Sequence, residues 1–211
     1  MKDMNQAAPT RRGLLKAGGM VALGALAPKV ALAAPAAPLT SPRAVRPELM
    51  RRALAALDRH GSRLKRDRMA IVDFDAPSAQ PRFHFIDLAS GAGVSKLVAH
   101  GSGSDPAHTG YVHRFSNQGG SNASCEGAFL AADYYVGKHG KSQRLIGLDP
   151  TNDNALARAI VVHGAWYADA GLVRTRGMLG RSQGCFAVGE KELAEVFERL
   201  GPGRMIYAAK V

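Results

Sequence analysis

The sequence has little cysteine, little acid and no long apolar run after its N-terminal stretch, and each shortage narrows what the chain can be. Two cysteines, Cys125 and Cys185, allow at most one disulfide. Internal repeats, a collagen period and low-complexity stretches are absent, which excludes solenoid, fibrous and disordered chains. No segment beyond residue 33 is apolar enough to cross a bilayer. Asp and Glu number 17 against 28 Lys and Arg, a formal +11. Such a balance favours anionic surroundings, whether wall polymer, lipid headgroups or nucleic acid, without choosing among them. The 211 residues, 46% hydrophobic and 21% charged, suit one globular domain with a core of useful size.

The N-terminal residues carry an address. Thr10-Arg11-Arg12-Gly13-Leu14-Leu15-Lys16 precedes the apolar run Ala17–Ala27, and Ala31-Leu32-Ala33 offers the small residues a signal peptidase needs. Paired arginines before a mild, Gly/Ala-rich stretch resemble a twin-arginine export signal. The run falls short of the roughly 20 apolar residues of a membrane span. Residues 1–33 are therefore expected to be a leader, and the mature protein to work in the periplasm without stable membrane insertion. The leader holds a net +4, leaving +7 of the +11 to the mature chain. Residues 34–46, rich in Pro, Ala and Arg, read as a linker, and 47–211 as the folded domain.

Pro47 suits a first helical turn, and Leu49, Ala53, Ala56 and Leu57 form one apolar stripe ending at His60-Gly61, which predicts a helix. Its other face, with Arg51, Arg52 and Arg59, continues into Arg63, Lys65, Arg66 and Arg68; this is a solvated face or a surface for an anionic polymer. Short β-rich runs follow at Met69–Phe74, Arg82–Leu88 and Val94–Ala99, with further strands at Ala159–Val162 and Met205–Ala209. Helical spacing returns over Glu190–Leu200. The stretch 101–154 reads as loops with a short helix around Gly127–Tyr135. The whole is mostly β with a few short helices.

The chemistry is densest at Gly180-Arg181-Ser182-Gln183-Gly184-Cys185. A cysteine becomes a nucleophile when a base takes its proton, and a small residue before it admits substrate and backbone N–H groups. Gly184 is that residue, and His163, at the end of a compact strand and followed by Gly164, is the best base. Other readings compete. Cys125 and Cys185 could form a disulfide in an oxidising compartment. Gly180-x-Ser182-x-Gly184 fits a serine-hydrolase elbow, but no histidine follows Ser182, as that fold requires. His100, His108 and His113 match no common metal-ligand spacing. His100-Gly101 and His139-Gly140 rival His163-Gly164 as the base dipeptide.

His163-Gly164 followed by Ser182-Gln183-Gly184-Cys185 resembles the active-site signature of the murein L,D-transpeptidase (YkuD-like) catalytic domain family. So do Phe115-Ser116-Asn117, Gly127-Ala128-Phe129, Tyr135-Val136-Gly137-Lys138-His139-Gly140-Lys141-Ser142 and Arg144-Leu145, in that order. The resemblance implies a β-sandwich-like domain in which Cys185 attacks a peptidoglycan stem peptide, His163 is the base and the Gly164 carbonyl orients it. It also implies that the N–H groups of Gly184 and Cys185 hold the oxyanion. Arg181, Ser182, His139 and Arg144 are the candidate substrate contacts. No metal, organic cofactor or nucleic acid is implied; the partner is the stem peptide, and the outcome is a crosslink or, with water as acceptor, hydrolysis. The other outcome left open is a non-catalytic wall-binding module with a Cys125–Cys185 disulfide. Phe186-Ala187 follows the cysteine where the family usually carries a polar or basic second residue, and Cys125 stands where an apolar residue is common, implying a buried thiol.

Overall fold

A computed structural model describes residues 45–211. The expected leader over 1–33 and all but the end of the expected linker over 34–46 lie outside the described residues. The two linker residues within it belong to the packed domain: Val45 is buried, and Arg46 donates from Nε to Asp73 Oδ2 at 2.9 Å. No helix among the described residues is long and apolar enough to cross a membrane.

Helix α1 runs Pro47–Arg59 and is followed by strands β1 (Arg68–Asp73), β2 (Phe83–Asp87) and β3 (Gly93–Lys96). Then come β4 (Gly127–Gly137), β5 (Gly140–Gly147), β6 (Val161–Gly164), helix α2 (Ala170–Arg176), β7 (Phe186–Val188), helix α3 (Leu193–Leu200) and β8 (Met205–Ala209). The strands form one eight-stranded sheet in the order β3-β2-β1-β8-β4-β5-β6-β7. Its two ends approach each other: Ala99, just after β3, bridges antiparallel to Ala187 in β7, with Ala99 N–H on Ala187 O at 2.8 Å. The mostly β expectation therefore holds, and a single curled sheet supplies the layers of the sandwich.

Strand alternation explains the core. In β1 and β8, Ala70, Val72, Ile206 and Ala208 face the main cluster, which Phe83, Phe129, Phe186 and α3 residues Val196, Phe197 and Leu200 complete. Met69, Ile71, Met205 and Ala209 face the other way, onto the apolar stripe of α1. Leu49 and Leu57 of that stripe are fully buried, each contributing about 2 kcal/mol by area. The basic run of α1 and the residues after it is partly paired within the domain: Arg52 Nε donates to Glu48 at 2.8 Å, Arg51 shares Glu48, Arg59 pairs with Asp149 and Arg66 with Asp58.

One expectation fails. The stretch expected as loops with a short helix around Gly127–Tyr135 contains the two longest strands, the hairpin β4–β5. Ala128 faces the α1 side while Phe129 and Ala131 face the main core, so both faces of the first half of β4 are buried and its period-2 signature vanishes there. What remains is an Ala-rich apolar run, which in isolation reads as helix.

Candidate active site

β6 and β7 pair in parallel, with Val162 opposite Phe186 and His163 opposite Ala187. Val162 and Phe186 both enter the main core, so Cys185 and His163, each one residue away, turn to the opposite side together. Phe186 anchors the strand start among Phe129 at 5.3 Å, Phe74 at 6.1 Å and Phe83 at 6.3 Å between ring centroids. Both Cys185 and His163 open onto a cleft of about 700 Å³.

His163 is buried, and its Nδ1 lies 2.9 Å from Gly164 O. A carbonyl only accepts, so Nδ1 carries the hydrogen and Nε2 keeps its lone pair. Burial lowers the His163 pKa below 6.5, outweighing the Gly164 carbonyl, and the neighbouring His139 and Lys138 add to the lowering. Burial also raises the Cys185 thiol above its ordinary value, against the Val161 N–H and the charges of Lys138 and Arg158. Both shifts favour the uncharged forms, thiol and neutral imidazole. The Cys185 thiol points at Ala159 O, 3.6 Å away. That carbonyl belongs to a residue with φ of 54°, a left-handed turn leading into β6.

Of the expected substrate contacts, Arg181, Ser182 and His139 line the cleft. His139, at the β4–β5 turn, stacks on His163 with centroids 4.2 Å apart and planes at 20°. Ser182 is a brace: its hydroxyl donates to Cys185 O at 2.7 Å and accepts the Gly184 N–H at 3.1 Å. One of the two expected oxyanion donors, Gly184 N–H, is thus engaged inside the loop. Arg144 does not line the cleft, although its strand partner Val161 does; its guanidinium donates to Asp133 Oδ2 at 2.7 Å and lies over the Tyr135 ring at 4.0 Å. Sequence reasoning missed Arg158 and Tyr167 as cleft residues. They come from the turn before β6 and the turn after it, and nothing in their local sequence marks them. Burial pushes the Tyr167 phenol up to about 12.

The loop 181–184 is held by the segment after β3. Ser182 N–H donates to His100 O at 2.9 Å, and Ser102 N–H to Ser182 O at 2.8 Å. Gly101 permits this approach, since a Cβ there would lie 2.3 Å from Asn122 O and 2.8 Å from Gly184 N. Gly184 has φ of 108°, and its Cβ would lie 2.7 Å from Ala123 O. Gly184→Ala should therefore destabilise the fold by about 1–3 kcal/mol and slow any reaction at Cys185, read by thermal unfolding and by labelling of the thiol.

His100, a rival base by sequence, is buried away from the cleft between Arg82 Nη2 on its Nδ1 at 2.7 Å and Asp105 Oδ2 at 3.3 Å from its Nε2. Burial and the Arg82 charge push its pKa down to about 4, against Asp105. Between pH 6.5 and about 4 the unfolded chain takes up a proton that the folded one refuses, so stability falls as pH falls through that window. The loss amounts to roughly 3 kcal/mol. Unfolding midpoints measured across this range should show the slope in the native chain and its reduction in His100→Gln.

Both cysteines are free thiols, so the alternative Cys125–Cys185 disulfide is not formed. Burial raises Cys125 to about 11. His108 Nε2 meets Leu179 O at 3.0 Å and His113 Nε2 meets Thr109 Oγ1 at 2.7 Å, each in its own contact. Among the described residues no group of three or more His, Cys, Asp or Glu side chains could hold a metal.

Three solved structures similar to this chain are L,D-transpeptidases. One, in complex with imipenem, is 14% identical, with 68% of this chain and 59% of that chain covered and a TM-score of 0.41. A second, from Mycobacterium smegmatis, is 13% identical, with 68% and 58% covered and a TM-score of 0.41. A third, from Enterococcus faecium, is 11% identical, with 68% and 50% covered and a TM-score of 0.40. The alignment thus spans between half and three-fifths of those chains' length. No curated protein matches the sequence. The model of the L,D-transpeptidase catalytic domain matches residues 42–209, most of the sequence and every residue of the cleft, and the chain belongs to that family.

Proposed function

We infer that the chain is an exported cysteine L,D-transpeptidase acting on peptidoglycan stem peptides. The observation that carries this reading is the placement of a buried thiol and a carbonyl-oriented imidazole on one side of the β6–β7 pair, both open to one cleft. In the reaction, Cys185 Sγ attacks a stem carbonyl carbon while its proton passes to His163 Nε2. The C–N bond to the terminal residue of the donor stem breaks, His163 returns the proton to the departing amine, and a thioester remains. An acceptor amine then attacks the thioester, forming the new amide and restoring the thiol. Cys185 N–H is one oxyanion donor; Gly184 N–H joins it by exchanging Ser182 Oγ for the oxyanion, each donor contributing about 3 kcal/mol. His139, stacked on His163 at the cleft mouth, and Arg181 are the substrate contacts this geometry favours.

Export by the twin-arginine route and action in the periplasm rest on the paired arginines and apolar run of residues 10–27. The test of the activity is product analysis with a tetrapeptide stem and an amine acceptor, using intact-mass detection of the thioester. A crosslinked product together with the thioester supports the transpeptidase. Thioester with free tripeptide only identifies a carboxypeptidase on the same scaffold, and no thioester overturns the reading.

A further inference from the structure

The cleft is charged in one sense. Among the described residues that line it, none is Asp or Glu, while Lys138, Arg158 and Arg181 are cations from three separate elements. Lys138 comes from the β4–β5 turn, Arg158 from the turn before β6 and Arg181 from the loop before β7. Several basic groups elsewhere on the surface are paired locally, Arg144 with Asp133, Arg204 with Asp67 and Arg46 with Asp73 and Asp75. Among the described residues, Lys138, Arg158 and Arg181 have no carboxylate partner. Arg158 donates to Ser116 O and Ala123 O, both at 2.6 Å, and to Ser121 Oγ at 3.2 Å. Arg181 donates from Nη1 to Asp105 O and to Pro106 O, the latter at 3.1 Å. The Asp105 carboxylate itself is turned inward to the N–H groups of Thr109 and Gly110, both at 2.8 Å. Lys138 makes no ion pair among the described residues.

Neutral oxygens fix a guanidinium in place without cancelling its charge. Arg158 and Arg181 are therefore both positioned and uncompensated, so an anion binding beside them meets groups that need little further ordering. Among the described residues Arg181 commits only Nη1, which leaves its Nε–Nη2 edge, the edge that matches a carboxylate in bidentate fashion, without a partner there. Lys138 and Arg158 also favour the Cys185 thiolate, but less than burial disfavours it.

We propose that Lys138, Arg158 and Arg181 read the carboxylates of the donor stem, so that the enzyme selects stems with free carboxylates over the same stems carrying carboxamides at those positions. This rests on the transpeptidase reading and adds to it the charge state of the donor. The test compares two tetrapeptide stems identical except for free or amidated side-chain carboxylates, with thioester formation on Cys185 followed by intact mass. The free-acid donor should have a kcat/KM about tenfold or more above the amidated one, the scale of a charge-assisted hydrogen bond, and the ratio should shrink as salt rises. Lys138→Gln, at an exposed turn, and Arg181→Gln should each bring the ratio several-fold closer to one. Alkylation of Cys185 by the uncharged iodoacetamide monitors the integrity of the site in both variants. Equal rates for the two donors, or a ratio that survives both variants, overturns the proposal while leaving the transpeptidase intact. Alkylation of Cys185 without a thioester from either donor overturns the transpeptidase reading and the proposal with it.

Discussion

Incubated with a carbapenem, a strained β-lactam acyl donor, the native chain should gain the mass of one adduct, and the Cys185→Ala chain should gain none. With stem donors the same substitution should lower turnover by at least about 10⁴-fold, the scale seen when a covalent nucleophile is removed. No neighbour can take over. The Ser182 hydroxyl is committed to Cys185 O and to the Gly184 N–H, and Cys125 is buried with its thiol raised to about 11. The fold should survive, because the change removes one sulfur at the floor of the cleft and costs about 1 kcal/mol or less in packing. An unfolding midpoint near that of the native chain, with the adduct absent, is the expected pair of results. An adduct that persists in Cys185→Ala would assign the nucleophile elsewhere.

The second large effect is at His163. His163→Ala should slow thioester formation by about 10²–10⁴-fold, the usual contribution of a positioned general base. The pH profile separates this from a packing defect. Because burial lowers the His163 pKa, the imidazole stays neutral at pH 7, and native activity should fall only as pH drops through a value below 6.5. In the variant that acid limb should disappear. Its residual rate should instead climb with pH towards and beyond 9.0, since burial holds the thiol above that value and only spontaneous thiolate can react. His139 is the control: it stacks on His163 but is exposed at a turn. If His139→Ala lost thioester formation while His163→Ala kept it, the base would be His139.

These effects depend on how rigidly the site is held, and the fold shows the means. Phe186 enters the main core directly after Cys185, so Cys185 sits at the start of a fixed strand. Ala187, where the family usually carries a polar or basic residue, is buried against Ala99 and Leu179 instead. The strand start therefore closes the sheet, and the cations that line the cleft come from other loops.

Local patterns by themselves determined α1, β1, β2, β6 and β8, because an apolar stripe or a short β-branched run bounded by turn residues needs no partner to be read. They also determined the nucleophile and base candidates, since His163-Gly164 and Ser182-Gln183-Gly184-Cys185 are contiguous in the chain. The tertiary structure alone decided the rest. β4, buried on both faces over its first half, loses the alternation that would announce it and is a strand only because β5 and β8 flank it. Arg144 sits in β5 with its guanidinium held by Asp133 and does not line the cleft, while Arg158 reaches the cleft from a turn with no sequence cue. The engagement of Gly184 N–H by Ser182, and the lack of a carboxylate beside three cations, follow from contacts between segments far apart in the chain. A motif fixes which atoms can react; which of them face the same space, and under what charge, is set by packing.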